Sequence, residues 1–226
     1  MKVYQVGGSV RDQIMGAPTK DIDFAVEAPS FNDMRDEVLR RGCEIFLESP
    51  QFLTIRAKHP EMGGVDFSLC RKDGIYRDGR HPENVEAGTI YEDLARRDFT
   101  MNAIAIDTDT GETLDPFGGA DHIKRKTIVS VGDVTDRFEE DKLRAFRAIR
   151  FKIVKNMFVS EEIDSAIRSL KAERFAGVST DRVRDELHRM FVANTTASIM
   201  ELIQYPEIIR LMEQRKLWLK PTTEKT

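Results

Sequence analysis

The feature that most limits this chain is an acidic pair inside a run that otherwise reads as strand, Asp21-Ile22-Asp23-Phe24-Ala25-Val26. Side chains of a strand alternate with period two, so Asp21 and Asp23 fall on one face. Two neighbouring carboxylates among apolar residues are costly unless a cation sits between them. Oxygen donors of this kind suit Mg²⁺, with Mn²⁺ as the alternative. Just upstream, Gly7-Gly8-Ser9-Val10-Arg11-Asp12 combines a turn that lets backbone N–H groups approach an anion with the start of a helix. Arg11 adds a forked donor. A phosphate cradle beside a carboxylate metal site is the arrangement nucleotidyl transfer requires, and such sites want a third carboxylate from a neighbouring strand. Asp66, in Val65-Asp66-Phe67-Ser68-Leu69, fills that place.

Composition narrows the classes. Of 226 residues, 40% are hydrophobic and 33% charged, which excludes disorder as the main state. No apolar run reaches the length of a membrane span, and the N-terminus does not read as a signal peptide. Cys43 and Cys70 are the only cysteines, which fits a cytoplasmic protein and excludes a cysteine-based zinc site. They are expected to be inert. His122 and His188 read as structural rather than catalytic, and Trp218 as a packing or interface residue. The net charge of −4 argues against nucleic-acid binding by bulk charge, although Lys and Arg cluster locally, as at 142–155 and 182–189.

Two textures divide the chain. Short apolar runs (Val3–Val6, Phe24–Val26, Phe52–Ala57, Val65–Leu69, Ala103–Ile106, Ile128–Val131) alternate with helical stretches and turns up to about residue 132. Ser30 caps a helix to Arg41, and a second helix runs from Tyr91 to about Arg97. Helical spacing then takes over. Leu143, Phe146, Ile149 and Phe151 form an apolar stripe, and Thr180 caps a helix through Phe191. The expected architecture is an α/β (α+β) head with a mixed sheet at 1–132, an all-helical neck at 133–195, and a short helical remnant and tail at 196–226.

With these residues in view, the chain resembles the class II CCA-adding tRNA nucleotidyltransferase and bacterial poly(A) polymerase family, within the polymerase-β-like superfamily. Five stretches carry the resemblance in the family's order: GGSVRD with DIDFAV, RRDFTMNAIA at 96–105, DPFGGADHI at 115–123, EEDKLRAFRAIRF at 139–151 and TDRVRDEL at 180–187. It implies that Asp21 and Asp23 hold Mg²⁺ and that Gly8, Arg11 and Arg97 contact the nucleotide. Asp98 and Asn102 would hold the local structure, and the third stretch would couple head and neck movement. Asp141 and Arg144 lie three apart, so on a helix they share a face. Acceptors on Asp and donors on Arg can address the Watson–Crick edge of cytosine or adenine, the role the resemblance assigns them. Arg147 and Arg150 continue the spacing and would reach the triphosphate.

The resemblance implies addition of C and A from CTP and ATP to an RNA 3′ end, with a tRNA as acceptor. An A-only enzyme or poly(A) polymerase shares the same motifs. A catalytically silent RNA- or nucleotide-binding module is the alternative of another class. The polar segment 70–97 reads as a long loop, similar to the family's flexible loop that helps switch from CTP to ATP. The family usually continues with helical body and tail domains. The chain ends soon after the neck, so its apolar C-terminal helices are expected to self-associate. Lys142 stands where the family often has proline.

Overall fold

The computed structural model describes residues 1–19, 21–73 and 85–217. These fall into two compact units, the first ending at Asp133 and the second described from Val134 onward. The centre of the expected loop, 74–84, and Trp218 lie outside the described residues.

The first unit is built on a mixed sheet. Its elements are β1 (Lys2–Val6), α1 (Gly8–Ile14), β2 (Ile22–Glu27), α2 (Phe31–Arg40), β3 (Glu44–Ser49), β4 (Thr54–His59), β5 (Gly63–Leu69), β6 (Arg71–Asp73), β7 (Val85–Ala87), α3 (Ile90–Ala95), β8 (Ala105–Asp107), β9 (Thr113–Leu114) and α4 (Gly119–Lys124). Seven strands pair in the order β3-β4-β5-β2-β1-β8-β9. Only β2 and β5 run parallel, and the other pairs are antiparallel. A parallel neighbour needs a crossover. Here α2, β3 and β4 supply it.

The sheet is buried on one face beneath α2, and on the other across β1, β2 and β8. Val3, Phe24, Val26, Ile55, Val65 and Phe67 pack on Met34 and Val38 of α2. Phe24 and Phe67 stack with ring centroids 5.1 Å apart. Tyr4, Val6, Ala25 and Ala105 pack on Ile90 and Leu94 of α3. Each fully buried side chain of this size contributes about 1.5–3 kcal/mol. The Ser30 cap is present, its hydroxyl accepting from Asp33 N. On either side of 74–84, the described residues form regular elements: β6 and β7 pair antiparallel, and α3 opens with a Thr89–Glu92 capping box.

Two of the sequence motifs are welded together inside this unit. The Asp115 carboxylate accepts from Gly119 N and Ala120 N at 2.7 and 2.9 Å, capping α4. Thr100 Oγ1 lies 2.9 Å from His122 Nδ1, which gives that histidine its structural role. Gly119 sits so close to the 100–102 turn that a Cβ there would fall 2.2 Å from the Thr100 carbonyl oxygen. Gly119→Ala therefore forces α4 off this turn. The expected loss is about 1–3 kcal/mol, read as a lower melting temperature of the full chain.

The second unit is helical: α5 (Val134–Glu140), α6 (Leu143–Val154), α7 (Glu161–Ser169), α8 (Thr180–Ala193), α9 (Thr195–Leu202) and α10 (Pro206–Gln214). The cap of α8 is Ser179, one residue before the expected Thr180, and it accepts from Arg182 N. Phe146 meets Phe175 edge-on at 5.6 Å, and Ile149, Val183, Leu187 and Met190 are buried. Among the described residues, no helix is long and apolar enough to cross a membrane.

Candidate active site

Strand register brings the carboxylates together. Asp23 of β2 pairs with Asp66 of β5 in the parallel ladder, so the two side chains stand side by side on one face. Asp21 lies just before β2 rather than within it. The Asp23 carboxyl is held above its ordinary range by burial, then by the charge of Asp66, with Arg97 opposing and Asp21 adding to the rise. Asp66 also forms an ion pair with Arg56 of β4 at 3.0 Å. Among the described residues, no three acidic, His or Cys side chains already stand at ligand spacing. Mg²⁺ commonly takes only one or two carboxylates and completes its shell with water and substrate phosphate. An in-register pair whose charges repel fits that demand.

Gly7 brings the backbone to the acids. It opens α1 with φ +72 and ψ −133, a left-handed conformation that favours glycine. A Cβ there would lie 3.1 Å from Arg97 Nη1 and 3.7 Å from Asp23 Oδ2. The close approach thus falls at Gly7, whereas Gly8, the expected contact, is the first residue of the helix.

The cations on this flank are tightly held. Arg97 donates from Nη2 and Nε to Asp93 Oδ2 at 2.9 and 3.3 Å, and from Nη1 to the Asn102 carbonyl at 3.1 Å. Burial pushes the Asp93 carboxyl up, but Arg97 and Arg96 outweigh it and hold the group below the usual range. Arg11 is buried, donating to Asp12 at 2.8 Å and to Asn102 Oδ1 at 2.7 Å. Asn102 in turn donates to Asp98, which also accepts from Phe99 N. Cys43 and Cys70 are buried, and burial pushes both thiols up, away from the reactive thiolate.

In the helical unit, Asp141 and Arg144 do not share one unbroken helix, and each has its own partner. Asp141 lies in the break between α5 and α6, because its carboxylate accepts from Leu143 N at 3.0 Å and starts the second helix. Arg182 of α8, which spacing alone did not single out, grips that carboxylate at 2.6 Å. Arg144 reaches back instead to Glu140 at 2.7 Å and to the Arg137 carbonyl at 3.1 Å. Arg147 lies over the Phe151 ring at 5.5 Å. Arg150 is only 7% exposed, and it donates to Glu186 at 2.5 Å while lying 4.0 Å from the Phe151 centroid. It is packed inside the unit, contrary to the expectation that it reaches out.

The poly A polymerase head domain matches residues 3–129. The CCA-adding enzyme of Geobacillus kaustophilus is 36% identical over 203 residues, covering 89% of this chain and 48% of that protein. The structure of the Bacillus stearothermophilus CCA-adding enzyme in complex with CTP superposes with a TM-score of 0.75 at 30% identity, over 89% of this chain and 47% of that one. That of the Thermotoga maritima CCA-adding enzyme complexed with tRNA CCA gives 0.77 at 27% identity, over 97% and 50%. The chain thus spans about half the length of the relatives it matches. With its carboxylate ladder, glycine turn and matched span taken together, the chain belongs to the poly A polymerase head domain family.

Proposed function

We propose that this chain is a metal-dependent RNA nucleotidyltransferase that adds C and A from CTP and ATP to a tRNA 3′ end. The observation that carries the reading is the in-register Asp23–Asp66 pair with Gly7 and Arg97 on its flank. The 3′-hydroxyl oxygen bonds to the α-phosphorus and its proton passes to solvent, while the bond from the α-phosphorus to the bridging oxygen breaks and pyrophosphate leaves with that electron pair. Asp23, with Asp21 and Asp66 beside it, would hold the divalent cation. When bound, it lowers the proton affinity of the hydroxyl and offsets phosphate charge. The backbone at Gly7 and Gly8 leaves room for the triphosphate, and Asp93 and the Asn102 carbonyl hold Arg97 in place beside it. Preorganised donors of this kind act without reorganising as charge develops.

Base choice is assigned to Asp141 and Arg144, with Arg182 and Glu140 holding their side chains. Arg11 and Arg147 serve the nucleotide phosphates, while Arg150 supports the helix through Glu186. CTP and ATP complexes and a tRNA complex among the similar structures support the choice of substrates.

The test incubates the full chain with Mg²⁺, a tRNA lacking its CCA end, and labelled CTP or ATP, singly and together. CTP is expected to be incorporated first, and ATP only after it. Incorporation of ATP alone assigns an A-only enzyme. Transfer of neither nucleotide overturns the enzymatic reading in favour of a binding module.

A further inference from the structure

We infer that a pocket at the β3–β4 side of the carboxylates receives the 3′-terminal nucleotide of the acceptor RNA, with Phe46 as its stacking platform and Arg56 as its cation. The inference rests on the proposed transfer reaction and adds the acceptor's seat to it. The pocket has a volume of about 210 Å³ and is lined by Asp21, Phe46, Arg56, Gly64 and Asp66, among others. It therefore shares two of its walls with the acidic site.

Strand order fixes which substrate belongs there. One row of register partners runs Val6, Asp23, Asp66, Arg56, Leu47 across β1, β2, β5, β4 and β3. Gly7, directly after Val6, and Arg97 crowd Asp23 at the β1 end of that row. Displacement at phosphorus is in line, with entering and leaving oxygens on opposite sides. A triphosphate on the Gly7 flank therefore places the attacking hydroxyl on the flank of Asp66, Arg56 and β3. Two strand spacings separate β5 from β3, about 10 Å, within reach of a single nucleotide.

Phe46 is built for such a contact. β3 and β4 slip register between Ile45 and Leu47, so Phe46 is the extra residue of a bulge. Bulges re-aim a side chain and gather beside active sites. Phe46 is 63% exposed, on a strand where an apolar ring gains little from solvent. An aromatic face accepts any base, and losing such a stack costs about tenfold or more in affinity. Arg56, also exposed, already meets Asp66 and supplies positive charge for the terminal phosphodiester.

The experiment pairs steady-state kinetics with photocrosslinking of the full chain. The acceptor is a tRNA lacking CCA, and the crosslinking version carries 5-iodouridine as its last nucleotide. Phe46→Ala is expected to raise the acceptor KM about tenfold or more while leaving the CTP KM within about twofold. Phe46→Tyr restores it. Gly64→Leu, which meets no protein atom within 4 Å of the added Cβ, fills the pocket and raises the acceptor KM as well. The crosslink is expected in the 44–49 segment. An unchanged acceptor KM in Phe46→Ala, or an equal rise in the CTP KM, overturns the assignment. A crosslink mapping elsewhere overturns it too. Should the wild type transfer nothing, the reaction is wrong, and the crosslink alone still decides whether the pocket seats an RNA end.

Discussion

Asp23→Asn is expected to lower nucleotide incorporation by about 10²–10³-fold or more, the range seen when one preorganised electrostatic group is lost. The change is isosteric, so Val6 and Asp66 keep their ladder partner. What disappears is the charge that Asp23 is proposed to offer the cation. The same variant carries a stability signature of opposite sign. Burial and Asp66 raise the folded-state pKa of Asp23. Between the ordinary carboxylate value and that raised one, the folded chain binds more protons than the unfolded chain, so stability falls as pH rises through the window. Asp23→Asn removes this fall and melts higher than the metal-free wild type at neutral pH. Mg²⁺ or Mn²⁺ binding only to the folded state raises the wild-type melting temperature, and the variant loses most of that rise. A variant that keeps full activity would remove Asp23 from the mechanism.

Glu186→Ala is expected to cost the helical unit about 3–5 kcal/mol, the penalty for leaving a buried charge without its partner. Arg150 and Glu186 have side chains only 9% and 7% exposed and meet at 2.5 Å. Burial already pulls the Arg150 guanidinium below its ordinary range, and Glu186 is the group that opposes the pull. At this chain length the loss corresponds to roughly 6–20 °C in melting temperature, followed by far-UV circular dichroism. Replacing both residues by apolar side chains of similar volume restores most of it, because the penalty belongs to the stranded charge. A double variant as unstable as the single one would mean that helix packing, rather than charge, sets the cost.

The acidic site was legible in the sequence because its signal is local. A period of two around Asp23, a glycine pair upstream and an alternating run around Asp66 need no knowledge of distant contacts. Strand β3 escaped the apolar-run reading because it is exposed along most of its length and its bulge breaks the alternation. The partners of the 141–144 pair escape the sequence for a related reason. Helical spacing assumes an unbroken helix, whereas Asp141 spends its carboxylate on starting α6. Arg182 and Asp93 matter through partners that tertiary packing supplies. Arg182 is 41 residues from the carboxylate it grips. Asp93 reads as one more charge on a short helix until Arg97 is seen to converge on it.

The lone parallel pairing in the sheet has a consequence for how the chain acquires its chemistry. Asp23 and Asp66 are separated by roughly forty residues of chain, and nothing shorter than the β2–β5 ladder joins them. Closing so large a loop demands entropy before any contact repays it. Local hairpins and helices form on their own schedule, but the Asp23–Asp66 pair on which the proposed reaction relies exists only once this distant ladder has closed. During synthesis that pair waits until the fifth strand has left the ribosome.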